Sequence, residues 1–309
     1  MPVIIPRDLP ATKRLLAEDI FLMHEKRAKT QDIRPLRIAI VNLMPKKIET
    51  ETQLLRLLSN TPLQIEIDFI TTKSYVGTHT PLSHMDKFYI TLDDIRSQRY
   101  DGMIITGAPV EHLPFEEVAY WSEMKDILDF SISNTFSTMY ICWASQAALY
   151  HMYGIDKFTT DKKIFGVFPH TLTKPHSITR GFDDVFHIPH SRHTRNRVRD
   201  VAAVDDLEIL SISEESGLFL TATKDGRRFF ASGHVEYDRY TLAREYERDR
   251  EKRDDVALPQ NYFPDNDPSR KPLQNWRSDA HLLFSNWLNY HVYQVTPFDL
   301  SGTEFPKGK

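Results

Sequence analysis

Cysteine is all but missing from this chain: Cys142 is the only one in 309 residues. A single thiol excludes an internal disulfide framework and suits a reducing cytoplasm. The sequence also lacks Cys-x-x-Cys, His-Glu-x-x-His, a glycine-rich phosphate loop and a dinucleotide fingerprint, so no metal, nucleotide or other cofactor is indicated. Excess positive charge is missing too. A net charge of −4 and a pI near 6.4 argue against nucleic acid or an anionic membrane surface as partner. No apolar run approaches the roughly 18 residues of a membrane span. The N-terminal stretch is too short and too broken by proline to read as a signal peptide. Internal repeats and low-complexity segments are absent. What remains is enough chain to bury a full core.

Apolar periodicity then divides the chain. Residues 1–35 read as an N-terminal arm with one helix from 12 to about 26, and residues 301–309 as a tail. Between them, 36–300 read as one α/β domain. Residues 36–44, 64–71 and 100–106 have the apolar texture of parallel strands, with helices expected over 46–59, 92–98 and about 16 residues from Val118. Residues 72–91 read as a long loop, and 155–203 carry little regular periodicity. Strands follow at 206–213, 218–223 and 227–231, then helices at 241–255 and 278–293. Strands alternating with helices indicate right-handed βαβ units, a mostly parallel sheet with helices on both faces.

Two short stretches carry chemistry. Residues 139–143 read as a buried strand and 144–153 as a helix that stops at Gly154, which places Cys142 at the junction. A thiol there faces the positive end of the helix, which favours its thiolate. Far downstream, Ser232-Gly233-His234-Val235-Glu236 follows an apolar run. Alternation at a strand end puts His234 and Glu236 on one side, so an imidazole can take a thiol proton while a carboxylate fixes its tautomer. Gly107, Cys142 and His234 all fall at expected strand ends, where open parallel sheets place their sites. Two readings remain open from these residues: a Cys-His-Glu catalytic group, or a lone cysteine acting as a small buried hydrophobe.

Longer strings are more specific. Residues 36–60, Thr106-Gly-Ala-Pro109, Cys142-Trp-Ala-Ser-Gln-Ala-Ala-Leu149, Pro189-His-Ser-Arg192, Gly233-His-Val-Glu-Tyr-Asp238, Asn261-Tyr-Phe-Pro-Asp-Asn-Asp-Pro268 and Asn286-Trp-Leu-Asn-Tyr290 closely resemble the homoserine O-acyltransferases of the trans-succinylase type. The match runs from about residue 2 to about 300. That family looks like a relative of the class I glutamine amidotransferases, which implies a flavodoxin-like α/β fold and a Cys142, His234, Glu236 triad. It also implies transfer of an acyl group from acyl-CoA to L-homoserine in methionine biosynthesis, by ping-pong kinetics and without a cofactor. The oxyanion hole is then expected from the backbone N–H groups of Trp143 and Ala108.

The resemblance carries over further positions. Lys163 matches a substrate-contacting lysine, Ser191 a position bearing on substrate choice, and Arg248 the arginine that holds homoserine by its carboxylate. Succinyl-using members carry glycine where this chain has Glu111, just past the oxyanion loop. A carboxylate there fills the room a succinyl tail needs and repels its charge, so acetyl-CoA is the expected donor. The alternatives are a homoserine O-succinyltransferase, a glutamine amidotransferase-like hydrolase, and a binding protein with an inert thiol. The resemblance also points to a homodimer; the single thiol suits the cytoplasm, and the charge balance leaves no nucleic-acid or membrane partner expected.

Overall fold

The computed structural model describes residues 3–6, 8–18, 23–24, 34–74, 80–253, 255–297 and 300. Its centre is a sheet whose strands are β1 (Val3–Ile5), β2 (Met23–His24), β3 (Leu36–Val41), β4 (Ile65–Ile70), β5 (Tyr89–Ile90), β6 (Tyr100–Ile105), β7 (Thr135–Ile141), β8 (Phe158–Leu172), β9 (Phe186–Arg195), β10 (Leu207–Ser213), β11 (Gly217–Thr223) and β12 (Arg228–Ala231). The spatial order is β2-β1-β4-β3-β6-β7-β12-β11-β10-β8-β9, with β5 beside β4. From β2 to β12 neighbours run parallel; β11, β10, β8 and β9 continue the sheet antiparallel.

The helices are α1 (Pro10–Ala17), α2 (Lys47–Leu58), α3 (Leu82–Phe88), α4 (Leu92–Ile95), α5 (Trp121–Ser133), α6 (Trp143–Tyr153), α7 (Val198–Ala202), α8 (Thr241–Arg250) and α9 (Arg277–Asn286). Alternation along the central strands divides the core in two. Ile38, Ile40, Ile104, Met139 and Ile141 pack on one face with α1, α2 and α9. Ala39, Val41, Met103, Ile105 and Tyr140 pack on the other with α5 and α6. Burial on both faces is why these strands read as continuous apolar runs. Among the described residues no helix is long and apolar enough to cross a membrane.

Several elements differ from the sequence reading. The helix expected over 12–26 is α1, which starts at Pro10 and ends at Ala17; Met23–His24 pair as a strand with β1, and residues 19–22 and 25–26 and the tail at 301–309 lie outside the described residues. The expected loop at 72–91 contains α3 and β5, both too short for periodicity to reveal, while 75–79 lie outside the described residues. The aperiodic stretch at 155–203 is mostly the long antiparallel β8–β9 hairpin, with α7 at its end. Its alternation is broken by a bulge between Thr159 and Ile164 and by Gly166, whose φ of 145° lets the backbone of Gln260 pass where a Cβ would stand. The closing helix widens after Asn286 into a π-helix at Trp287–Tyr293. There Trp287 donates to Ser137 and lies against Gly102 of β6.

Candidate functional site

Three adjacent strands deliver the site. Gly107 follows β6, Cys142 follows β7 and His234 follows β12, and β7 pairs with both neighbours. Cys142 caps α6 with φ 52° and ψ −115°. The other non-glycine residues at positive φ, among those described, are Asn261, Asp265 and Asn266, types that tolerate it. A cysteine there marks a sharp strand-to-helix elbow that lifts the thiol above the sheet. The elbow is pinned from below: the Cys142 N–H donates to Ala231 O at 2.7 Å, and Cys142 O accepts from the Ser145 N–H and hydroxyl at 3.0 and 2.7 Å. At the far end of α6, Gly154 takes the left-handed cap with φ 68°.

Around the sulfur the expected partners converge. His234 Nδ1 lies 2.6 Å from a carboxylate oxygen of Glu236, and its side chain hydrogen-bonds Cys142. A Cβ built on Gly107 would stand 3.7 Å from Cys142 Sγ and 3.6 Å from His234 Cε1, so the loop after β6 passes directly over both. Only a residue without a side chain leaves that space open. Burial opposes charge on His234, yet its interactions with Cys142 and the Glu236 carboxylate hold its pKa well above the ordinary histidine value. Tyr237 stacks on the imidazole with centroids 4.2 Å apart. The His234 N–H is anchored to Pro189 O at 2.8 Å.

The two backbone groups expected to hold an oxyanion sit beside this pair. Trp143 is the first residue of α6, so its N–H has no intrahelical acceptor. Ala108 is buried next to Gly107. Trp143 is itself packed against Phe115 and Tyr120, which fixes the first turn of the helix.

Lys163, Ser191 and Arg248 come from three elements and meet through acids on α8. Lys163 on β8 pairs with Asp249 at 3.1 Å. Arg248 reaches the same carboxylate at 2.7 Å and stays half exposed. Ser191 on β9 donates to Glu245 at 2.5 Å, and Glu245 also accepts from Tyr237 at 2.9 Å. Glu245 and Asp249 were missed in the sequence. Their i, i+4 spacing beside Arg248 was the available signal, hidden in a helix that reads as a solvated charged face.

Glu111 is half buried in the turn after the Gly107 loop. Burial raises its pKa, while a hydrogen bond from the His193 backbone and the charges of His112, Lys163 and Arg192 oppose the rise. Its own carbonyl accepts from Lys157 at 2.9 Å, which holds the turn. Glu111, His112 and His193 offer ligand atoms within 4.8 Å of one another. Lys163 and Arg192 act on Glu111, and Lys163 also acts on His193, as positive charges that disfavour a cation there.

Comparison with known proteins agrees with this architecture. A glutamine amidotransferase from Thermotoga maritima superposes with a TM-score of 0.51 at 14% identity, over 83% of this chain and 98% of that one. SMU.1228c superposes with a TM-score of 0.55 at 16% identity, over 81% and 97%. Likeness at that identity speaks to the fold: a class I glutamine amidotransferase-like α/β sheet. Two curated homoserine O-acetyltransferases are far more similar. That of Acetivibrio thermocellus is 56% identical and that of Clostridium beijerinckii 57%, each over 97% of this chain and 99% of the relative. The profile of the homoserine O-succinyltransferase family matches residues 2–298, and this chain belongs to that family.

Proposed function

We propose that this protein is a homoserine O-acetyltransferase: it moves an acetyl group from acetyl-CoA to the hydroxyl of L-homoserine through a thioester on Cys142, giving O-acetyl-L-homoserine for methionine biosynthesis. The observation that carries the reading is nearly full-length similarity, at 56 and 57% identity, to enzymes of that name. The site supplies chemistry to match. The Cys142 thiol gives its proton to His234, and the sulfur attacks the thioester carbonyl. The carbonyl oxygen gathers charge beside the N–H groups of Trp143 and Ala108, and CoA leaves with the proton. One thioester replaces another, so this half-reaction is nearly balanced. His234, oriented by Glu236, then takes the homoserine hydroxyl proton as the oxygen attacks, and the ester departs from the free thiol. Two substrates sharing one intermediate give ping-pong kinetics.

Arg248 and Lys163 are positioned for the amino-acid substrate. A half-exposed guanidinium beside Glu245 and Asp249 offers a fork for the homoserine carboxylate and acids for its ammonium. Ser191, held by Glu245, shapes the same wall.

The family's label names succinyl, and Glu111 argues for acetyl. Its half-buried carboxylate would meet the carboxylate of a succinyl tail in a partly desolvated site, a contact costing several kcal/mol. Steady-state turnover with each acyl-CoA tests this. Acetyl-CoA is expected to be preferred by about a hundredfold or more, and Glu111→Gly is expected to gain succinyl turnover. Equal use of both donors by the native chain would defeat the donor assignment while leaving acyl transfer intact. A cytoplasmic homodimer is the state in which we expect the reaction to run.

A further inference from the structure

Among the described residues, Arg192 is the one charged side chain in the set of largest fully buried ones, at 1% exposure. Its Nε–H donates to His190 Nδ1 at 3.3 Å, and its two terminal nitrogens donate to Thr194 O at 2.8 Å and Ser216 O at 2.6 Å. Every one of these acceptors is neutral. A guanidinium buried among the described residues with no paired carboxylate is one of the most costly features a core can hold. Such a charge calls for a use.

Its surroundings keep it in place. Accepting at Nδ1 fixes the His190 proton on Nε2, which faces His170 Nε2 at 3.0 Å and the Ser216 hydroxyl at 3.4 Å. Burial, together with Arg192 itself, holds both rings neutral: His190 falls well below the ordinary value and His170 drops to about 3. The cradle thus contains one cation and no anion.

Strand β9 aims that cation. Its inward residues include His190, Arg192 and Thr194. Just before them, Pro189 O holds the His234 N–H. At the other end, the Thr194 hydroxyl donates at 2.9 Å to Gln146, in the first turn of α6, whose N–H reaches Cys142 O. A Cβ on Gly233 would lie 2.9 Å from His190 Cε1, so the His234 loop is packed onto the cradle itself. Arg192 therefore sits between the anchors of His234 and Cys142. The charges acting on it are Cys142 and Glu111, which attract it, and Arg195, which repels it.

We infer that Arg192 is a positioning residue for the nucleophile: its unpaired buried charge, locked by the neutral His170–His190–Ser216 cradle, offsets the negative charge that Cys142 takes on when it loses its proton. The inference rests on the reading of Cys142 as nucleophile.

The test is the pH dependence of Cys142 alkylation by iodoacetamide in the full chain, alongside circular dichroism and kcat, for the native protein, Arg192→Gln and Arg192→Lys. Losing the charge in Arg192→Gln is expected to raise the alkylation midpoint by about one pH unit, leaving roughly a tenth of the thiolate below it. Arg192→Lys keeps the charge without the fork and is expected to stay within about half of that shift. A folded Arg192→Gln with the native midpoint overturns the inference, as does an equal shift in both variants, which would make the role geometric. Failure of both variants to fold assigns Arg192 to the framework and overturns it too. If the native Cys142 reacts no faster than a free thiol, the reading of the nucleophile falls, and this inference with it.

Discussion

Gly107→Ala isolates the catalytic geometry from the stability of the fold. The added methyl would meet Cys142 Cβ at 3.2 Å, His234 Cε1 at 3.6 Å and Cys142 Sγ at 3.7 Å. The first distance is tight enough to demand a shift of a few tenths of an ångström; the others are ordinary contacts. Overpacking of that kind costs about 1 kcal/mol, and the lower entropy of the unfolded chain offsets part of it. For a chain of this size, the melting temperature should move by no more than about 2–4 °C. The rate should respond very differently. The methyl occupies the space above the sulfur that an acyl carbonyl must enter, and it pushes the Ala108 N–H off its target. Misplacing one oxyanion donor costs about 10²–10³ in kcat. The assay is release of CoA from acetyl-CoA, in the pre-steady-state burst and at steady state, beside a thermal melt. A variant with a native burst and native kcat would refute the placement of this loop over the thiol.

Glu236→Gln leaves a hydrogen-bonding group 2.6 Å from His234 Nδ1 but removes the charge that favours the imidazolium. It should lower kcat by about 10²–10⁴ with little change in melting; a rate within a few-fold of native would remove Glu236 from the mechanism. Buried His170 makes stability depend on pH. Its pKa is lowered to about 3 in the fold, against about 6.5 unfolded. Above the unfolded value both states are neutral, and as pH falls toward the folded value only the unfolded chain binds the proton. Stability is therefore lost on acidification, by about 2 kcal/mol at pH 5. Urea unfolding at pH 7 and pH 5 should recover that difference and lose it in His170→Gln; an unchanged difference in the variant contradicts the assignment. Gly102→Ala would place a Cβ 2.8 Å from Ile38 Cδ1 and 3.0 Å from the Trp287 ring. It should cost about 1–3 kcal/mol in a denaturant melt, and a neutral result would mean the π-helix can move away.

The parallel half of the sheet was legible because burial on both faces leaves runs such as Leu36–Val41 and Tyr100–Ile105 almost wholly apolar. The elbow was legible for a related reason: the buried strand ends abruptly at Cys142, and Gly154 marks the end of the helix that follows. The β8–β9 hairpin was hidden in part because His170, His190, Arg192 and Thr194 share its buried positions with apolar residues such as Val167 and Ile188. A hydrophobic pattern cannot report a core built from hydrogen-bonded polar groups. The same limit concealed Glu245 and Asp249, whose roles depend on partners on β8, β9 and after β12 that adjacent sequence does not reveal.

Mass spectrometry of the protein mixed with acetyl-CoA in the absence of homoserine reads the covalent intermediate itself. One acetyl group is expected on the peptide containing Cys142, discharged when L-homoserine is added and absent from Cys142→Ala, which should no longer make the ester. Acetylation elsewhere, or O-acetylhomoserine formed by Cys142→Ala at the native rate, would contradict an intermediate on Cys142.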